Sequence, residues 1–165
     1  MKNKFIKYAK EITIFLVVMI IFANILSFYR SGAVSKEPLD LNRVTLLGDI
    51  PYELPKNEPI LLHFWATWCP TCKAEAQNIQ TISQNYNVLT IALKSGSDEE
   101  IRDYLKSRNL DFNVVNDTTG QITQKYSVSV FPTTIIYDRN KNEFFSDVGY
   151  TSTFGLWLRM WWVSL

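Results

Sequence analysis

The chain has 165 residues, with 17 Lys+Arg against 16 Asp+Glu, a formal charge of +1. Apolar residues make up 47%, with only six Gly and six Pro, which excludes a collagen-like or largely disordered chain. The near-neutral balance argues against general nucleic-acid binding. Two cysteines are too few for a four-cysteine zinc site, and one histidine excludes a multi-histidine metal site from this chain alone.

The first elements in chain order are a basic segment and an apolar run. Lys2, Lys4, Lys7 and Lys10 precede Ile12–Tyr29, which is 18 residues without a charge, and only Arg30 stands at its far end. A helix of that length rises about 27 Å, close to the hydrocarbon thickness of a bilayer. The charge asymmetry places Met1 in the cytoplasm and everything after Arg30 outside. A cleaved secretory signal is the competing reading, but its apolar core is shorter, and Ser31-Gly32-Ala33 is a weak cleavage signal. No cysteine directly follows the run, which argues against a lipid-modified amino terminus. The expected organisation is a cytoplasmic basic segment (1–11), one transmembrane helix (12–29), a tether (30–40) and a single domain (41–165).

Within that domain Val44–Leu47 reads as a short strand, and Pro51, Pro55 and Pro59 punctuate a loop. Ile60–Trp65 is an apolar run of buried-strand length. Pro70 to about Tyr86 reads as a helix with Ala74, Ile79, Ile82 and Tyr86 on its apolar face, closed by Asn87. Val88–Leu93 is a second buried strand. Asp98 caps a helix to about Arg108, with acids in its first turn and bases in its last. Phe112–Val115 is a strand, Gln121–Tyr126 a short helix, and Thr133–Tyr137 pairs with Glu143–Val148 across a polar turn. Ser152 caps a last helix to about Trp162. Its residues Phe154, Trp157, Leu158 and Trp161 have the spacing of a core-facing stripe, with contact to a partner or a membrane surface as the alternative. This order predicts an α/β fold, a mixed sheet with helices on both faces.

The chemistry is expected at Trp68-Cys69-Pro70-Thr71-Cys72, where both cysteines lie at a strand–helix junction. Pro70 suits the first helical position, which puts Cys69 at the cap. The free N–H groups of Thr71 and Cys72 and the helix dipole then stabilise a Cys69 thiolate, and Cys72, one turn in, is the resolving thiol. Thiol–disulfide exchange through a mixed disulfide follows. A structural disulfide would close too small a loop to constrain the unfolded chain much, and a zinc site would need ligands beyond His63 that the chain lacks.

The stretch HFWATWCPTCKAE resembles the active site of the thioredoxin-like family. With the apolar run, it resembles the membrane-anchored TlpA-like branch, including proteins related to suppressor of copper sensitivity D. The resemblance covers roughly Leu41 to Trp162 and includes Glu75, Val130-Phe131-Pro132-Thr133 and Gly149. It implies a thioredoxin fold with Pro132 as a cis-proline facing the cysteines. The backbone before Pro132 would hold a substrate peptide, and Trp68, Pro70, Thr71 and Phe131 would shape the surface around it.

Some positions depart from the family pattern. His63 stands where thioredoxins often carry a buried acid; it either manages the Cys72 proton or is an ordinary core histidine. Glu75 matches an acidic TlpA-like position one turn beyond Cys72, and is either a proton-handling acid or a solvated glutamate. Gln77 replaces the usual proline of this helix, which puts the expected kink in doubt. Trp65 reads as core.

The resemblance implies a bacterial inner-membrane thiol:disulfide oxidoreductase with a periplasmic domain. It would act on protein thiols and disulfides and exchange electrons with a membrane partner, without organic cofactor or metal. The reading leans to reductase or isomerase. A dedicated oxidant is the alternative, with thioredoxin-fold copper delivery and thiol peroxidase as readings of other classes.

Overall fold

The computed structural model describes residues 8, 10–15, 18–19, 22, 38–41 and 43–165. Most of the apolar run 12–29 and of the tether 30–40 therefore lies outside the described residues. Those of the run that are described are helical, with exposed apolar side chains such as Ile12, Phe15 and Phe22. Among the described residues no helix is long and apolar enough to cross a membrane.

The domain is built on a five-stranded mixed sheet of order β5-β4-β3-β6-β7. Its strands are β3 (Ile60–Trp65), β4 (Val88–Leu93), β5 (Asn113–Asp117), β6 (Thr133–Tyr137) and β7 (Glu143–Val148). β3, β4 and β5 run parallel, whereas β6 is antiparallel to both β3 and β7. All six residues of β3 are buried, because helices or loops cover both faces of this central strand. A separate hairpin, β1 (Arg43–Leu46) and β2 (Ile50–Glu53), lies beside β5, where the Leu47 N–H donates to the Val114 carbonyl at 3.1 Å.

Three helices share one face of the sheet: α1 (Pro70–Ser83), α2 (Asp98–Ser107) and α4 (Thr153–Val163). The connections β3–α1–β4 and β4–α2–β5 step outward in the same direction, so right-handed crossovers lay both helices on the same side. Ile79 and Ile82 of α1, Ile101 and Leu105 of α2, and Leu156 and Met160 of α4 close that core over Leu61, Trp65 and Ile136. The short α3 (Gln121–Lys125) lies towards the opposite core, where Tyr126, Leu39 and Leu54 pack against Leu62, Phe64, Ile135 and Tyr137.

Several expectations need correction. The stretch expected as a proline-punctuated loop contains β2; Pro51 is accommodated because this two-stranded hairpin has an open outer edge. Ser97, not Asp98, caps α2: its hydroxyl accepts from the Glu100 N–H while the Glu100 carboxylate accepts from the Ser97 N–H at 2.7 Å. Asp98 instead accepts from the Gly48 N–H and from Asn116, tying the hairpin turn to β5. Ala74 is exposed; α1 buries Ile79 and Ile82 as expected, with Cys72, Glu75, Ala76 and Gln80 on the same side. In α4 the expected core stripe is on the wrong side. Leu156, Met160 and Val163 face the sheet, leaving Phe154, Trp157, Leu158 and Trp161 exposed. An apolar helix offers two stripes at core spacing, and only the packed sheet selects between them.

Candidate active site

The end of β3 delivers the chain into a turn, Ala66-Thr67-Trp68, that is fastened to the loop after β4. The Thr67 N–H donates to the Ser95 hydroxyl at 3.0 Å, and the Trp68 indole N–H donates to the Lys94 carbonyl at 3.3 Å. This fixes where α1 begins. Cys69 is its N-cap in extended conformation, Pro70 follows at the start of the helix, and the Cys69 sulfur accepts from the Cys72 N–H at 3.2 Å. Sulfur thus occupies the acceptor position that an oxygen usually fills at a helix start, at the positive end of the dipole. Of the two N–H groups expected to point at it, that of Cys72 makes the bond. Cys69 and Cys72 form a disulfide with Cα atoms 5.3 Å apart, and both are buried.

Around this buried pair lies an exposed rim. Trp68, Pro70 and Thr71 are exposed, and the Trp68 ring meets the half-buried Phe131 edge-on at a centroid distance of 6.0 Å. The Phe131–Pro132 peptide bond is cis. The Thr133 hydroxyl holds the loop by donating to the Val130 carbonyl, and the Gly149 N–H donates to the Pro132 carbonyl at 2.8 Å. The Trp68–Phe131 contact brings the proline loop against the cysteine motif. Trp65 is core: its indole N–H donates to Thr90, and its ring packs on Tyr104 and Phe112. Gln77 is exposed and caps the end of α2 through the Arg108 carbonyl, and α1 runs uninterrupted from Pro70 to Ser83.

Beneath α1 the sheet carries a polar row. Thr90, His63, Thr134 and Asp147 are aligned across four strands by the register, and all are buried. His63 Nδ1 shares a hydrogen bond with the Thr134 hydroxyl at 3.0 Å, and burial pushes its pKa down to about 3, so the imidazole is neutral. Glu75 is fully buried rather than solvated. Its Oε1 accepts from the Thr151 N–H at 3.0 Å, while Oε2 has no hydrogen-bond partner among the described residues. Burial pushes this carboxyl up to about 8, the Thr151 bond opposing the shift and the neighbouring Asp147 charge adding to it. Asp147 is itself pushed up by burial, against the pull of the Arg159 guanidinium 2.9 Å away.

Thr90, Thr134 and Asp147 of this row, and Thr151 and Arg159, which bond to Glu75 and Asp147, are the residues that sequence reading passes over. The hairpin turn at Asp138–Asn142 sets the pairing that puts Asp147 opposite Thr134, but Thr134 meets His63 only through the order of strands in the sheet. Among the described residues no group of three or more His, Cys, Asp or Glu is placed to hold a metal ion.

Comparison with known proteins agrees with the fold. The AhpC/TSA family matches residues 43–142. A thioredoxin-like protein of Haemophilus influenzae is 32% identical over 148 residues, covering 86% of each chain. The thiol-disulfide oxidoreductase ResA of Oceanobacillus iheyensis is 26% identical over 158 residues, covering 84% of this chain and 78% of its own. The crystal structure of a secreted disulfide oxidoreductase of Mycobacterium tuberculosis superposes with a TM-score of 0.61 at 26% identity, over 72% of this chain and 92% of that one. The fold is thioredoxin-like, with its central mixed sheet.

Proposed function

The chain belongs to the AhpC/TSA family, and we propose that it is a membrane-anchored, TlpA-like thiol:disulfide oxidoreductase acting on proteins outside the cytoplasm. The observation that carries this reading is the buried Cys69–Cys72 disulfide at the start of α1, with the Cys69 sulfur accepting from the Cys72 N–H. The same acceptor position favours a thiolate once the bond is reduced.

In the reductive direction the Cys69 thiolate attacks one sulfur of a substrate disulfide. A Cys69–substrate disulfide forms and the other substrate sulfur leaves as a thiolate. Cys72, losing its proton, attacks the Cys69 sulfur; the Cys69–Cys72 bond forms again and the second substrate thiol is released. Two electrons pass to the substrate, and a dithiol of a membrane partner protein restores the pair. No organic cofactor or metal enters these steps.

Glu75, one turn beyond Cys72 on the buried face of α1, is the proton-managing acid in this reading. Its pKa of about 8 lets it hold or release a proton near neutral pH. His63 supports the row as a neutral imidazole. Trp68, Pro70, Thr71, Phe131 and Pro132 frame the surface on which an extended substrate segment lies. The run 12–29 is the anchor in the bacterial inner membrane, residues 1–11 are cytoplasmic, and 30–40 tether the periplasmic domain 41–165. The TlpA-like resemblance leans the reading toward reductase or isomerase, with a dedicated oxidant as the alternative.

The test is trapping. Cys72→Ser should accumulate a mixed disulfide through Cys69 with its protein substrate, and Cys69→Ser should accumulate none. Exchange that survives Cys69→Ser refutes the proposal. A reduction potential of the pair near roughly −270 mV would mark a reductant, and one near roughly −120 mV an oxidant.

A further inference from the structure

Helix α4 has no polar face. Arg159 is the only charged residue between Thr153 and Leu165, and it turns inward to Asp147. The inner side is closed by Leu156, Met160 and Val163. On the outer side Phe154 is 70% exposed, Trp162 59%, and Trp157 and Trp161 44% each. The rings of Phe154, Trp157 and Trp161 stack in a row, at centroid distances of 6.2 and 6.3 Å. A surface helix of a soluble domain turns charged residues to water, and one apolar all round is covered on every side.

What covers it follows from where the chain enters the domain. Leu39 is buried, and its N–H donates to the Lys141 carbonyl at 2.8 Å, in the β6–β7 turn. Arg139 of that turn donates to the Ser164 carbonyl at the end of α4. The aromatic helix therefore ends at the corner where the amino-terminal segment arrives. Only residues 30–38 separate Leu39 from the uncharged run 12–29, a reach of about 30 Å fully extended. A groove at this corner is lined by Arg43, Lys56, Arg139 and Lys141 against a single acid, Glu53, which is tied to Arg43. Arg139 joins this basic groove to the end of the aromatic helix, and basic groups together with exposed indoles match the headgroup region of an anionic bilayer, where tryptophan concentrates.

We propose that the outer face of α4 lies on the surface of the membrane that the chain's own apolar run enters, with Trp157, Trp161 and Trp162 at headgroup depth. This rests on the anchor reading given under Proposed function. α4 starts close to the redox site, since Gly149 bonds to Pro132, and Thr151, two residues before the helix, bonds to Glu75. Seating the helix therefore holds Cys69 at a fixed height above the lipid, within range of a membrane partner.

The full chain is reconstituted into vesicles of phosphatidylcholine and phosphatidylglycerol whose acyl chains are brominated near the headgroup. All five tryptophans lie beyond the apolar run, so quenching reports the domain alone. Emission should fall by roughly half relative to unbrominated vesicles, three of the five indoles facing lipid. Phe154→Glu with Leu158→Glu keeps every tryptophan and should abolish most of that quenching while the protein still floats with the vesicles and exchanges disulfides. Flotation without quenching in the unaltered chain overturns the docking and leaves the anchor standing. Emission that instead depends on protein-to-lipid ratio, without quenching, assigns the face to a second copy and overturns the docking equally. Failure to float removes the anchor, and the docking with it.

Discussion

Replacing Glu75 by Gln should remove a large loss of stability that builds between about pH 4.5 and about 8. Glu75 is fully buried, with one oxygen bonded to the Thr151 N–H and the other without a partner among the described residues. Burial raises its pKa from 4.5 to about 8. The folded protein thus holds this proton more tightly than the unfolded chain does. The resulting stability is complete below about pH 4.5 and is lost as the pH rises through 8. At 1.36 kcal/mol per pH unit, the loss amounts to about 5 kcal/mol. The amide of the Glu75→Gln variant would keep an acceptor for Thr151 but cannot ionise, so its profile should lack this fall; a limb from Asp147, and a rise of stability up to about pH 6.5 from His63, which the fold keeps neutral, are common to both proteins. Urea unfolding of the oxidised full chain in mild detergent at several pH values, followed by tryptophan emission, measures the difference. Profiles that stay parallel within about 1 kcal/mol would show that Glu75 is hydrated or already ionised, and would refute the reasoning.

Substitutions at three further positions separate local causes. Ser97→Ala removes half of the capping box at α2 and should cost about 1 kcal/mol in denaturant unfolding, with disulfide exchange unchanged. Thr134→Val leaves His63 Nδ1 without its partner in a buried site and should cost about 1–3 kcal/mol; Thr134→Ser should recover most of it. Gly149 has φ of +101°, yet a methyl group built there meets nothing within 4 Å. Gly149→Ala should therefore cost about 1–3 kcal/mol from backbone strain alone, and an unchanged midpoint would show that the backbone relaxes freely.

Much of this architecture was legible because local and long-range signals agree. Ile60–Trp65 and Val88–Leu93 are apolar runs broken only by His63 and Thr90 and bounded by turn residues, and they are two adjacent parallel strands within the sheet. Pro70 marks the start of α1 and Ser152 caps α4 because both obey local backbone rules. β2 was hidden, since Pro51 argues against a strand until one sees that it sits in an isolated hairpin. The orientation of α4 was hidden for a different reason: Trp157 and Leu156 are equally apolar, so no charge marks the outside. At the site, Cys69 and Cys72 are neighbours in sequence and easily read. The polar row beneath them joins residues from positions 63 to 147 and exists only once the strands are ordered.

The hairpin beside β5 bears on how copies of this domain coexist. An exposed sheet edge is a row of unused N–H and C=O groups, a template on which another molecule can add a strand. At β5 part of that row is already taken, because Leu47 donates to Val114 and Asp98 holds the hairpin turn in place through Gly48. At the opposite edge, β7 is interrupted by the register shift near Ile136 and Tyr137, and Asp147 carries its charge inward to Arg159. Both edges are therefore poor templates for strand addition, so crowding copies together should not lead to aggregation through their sheets.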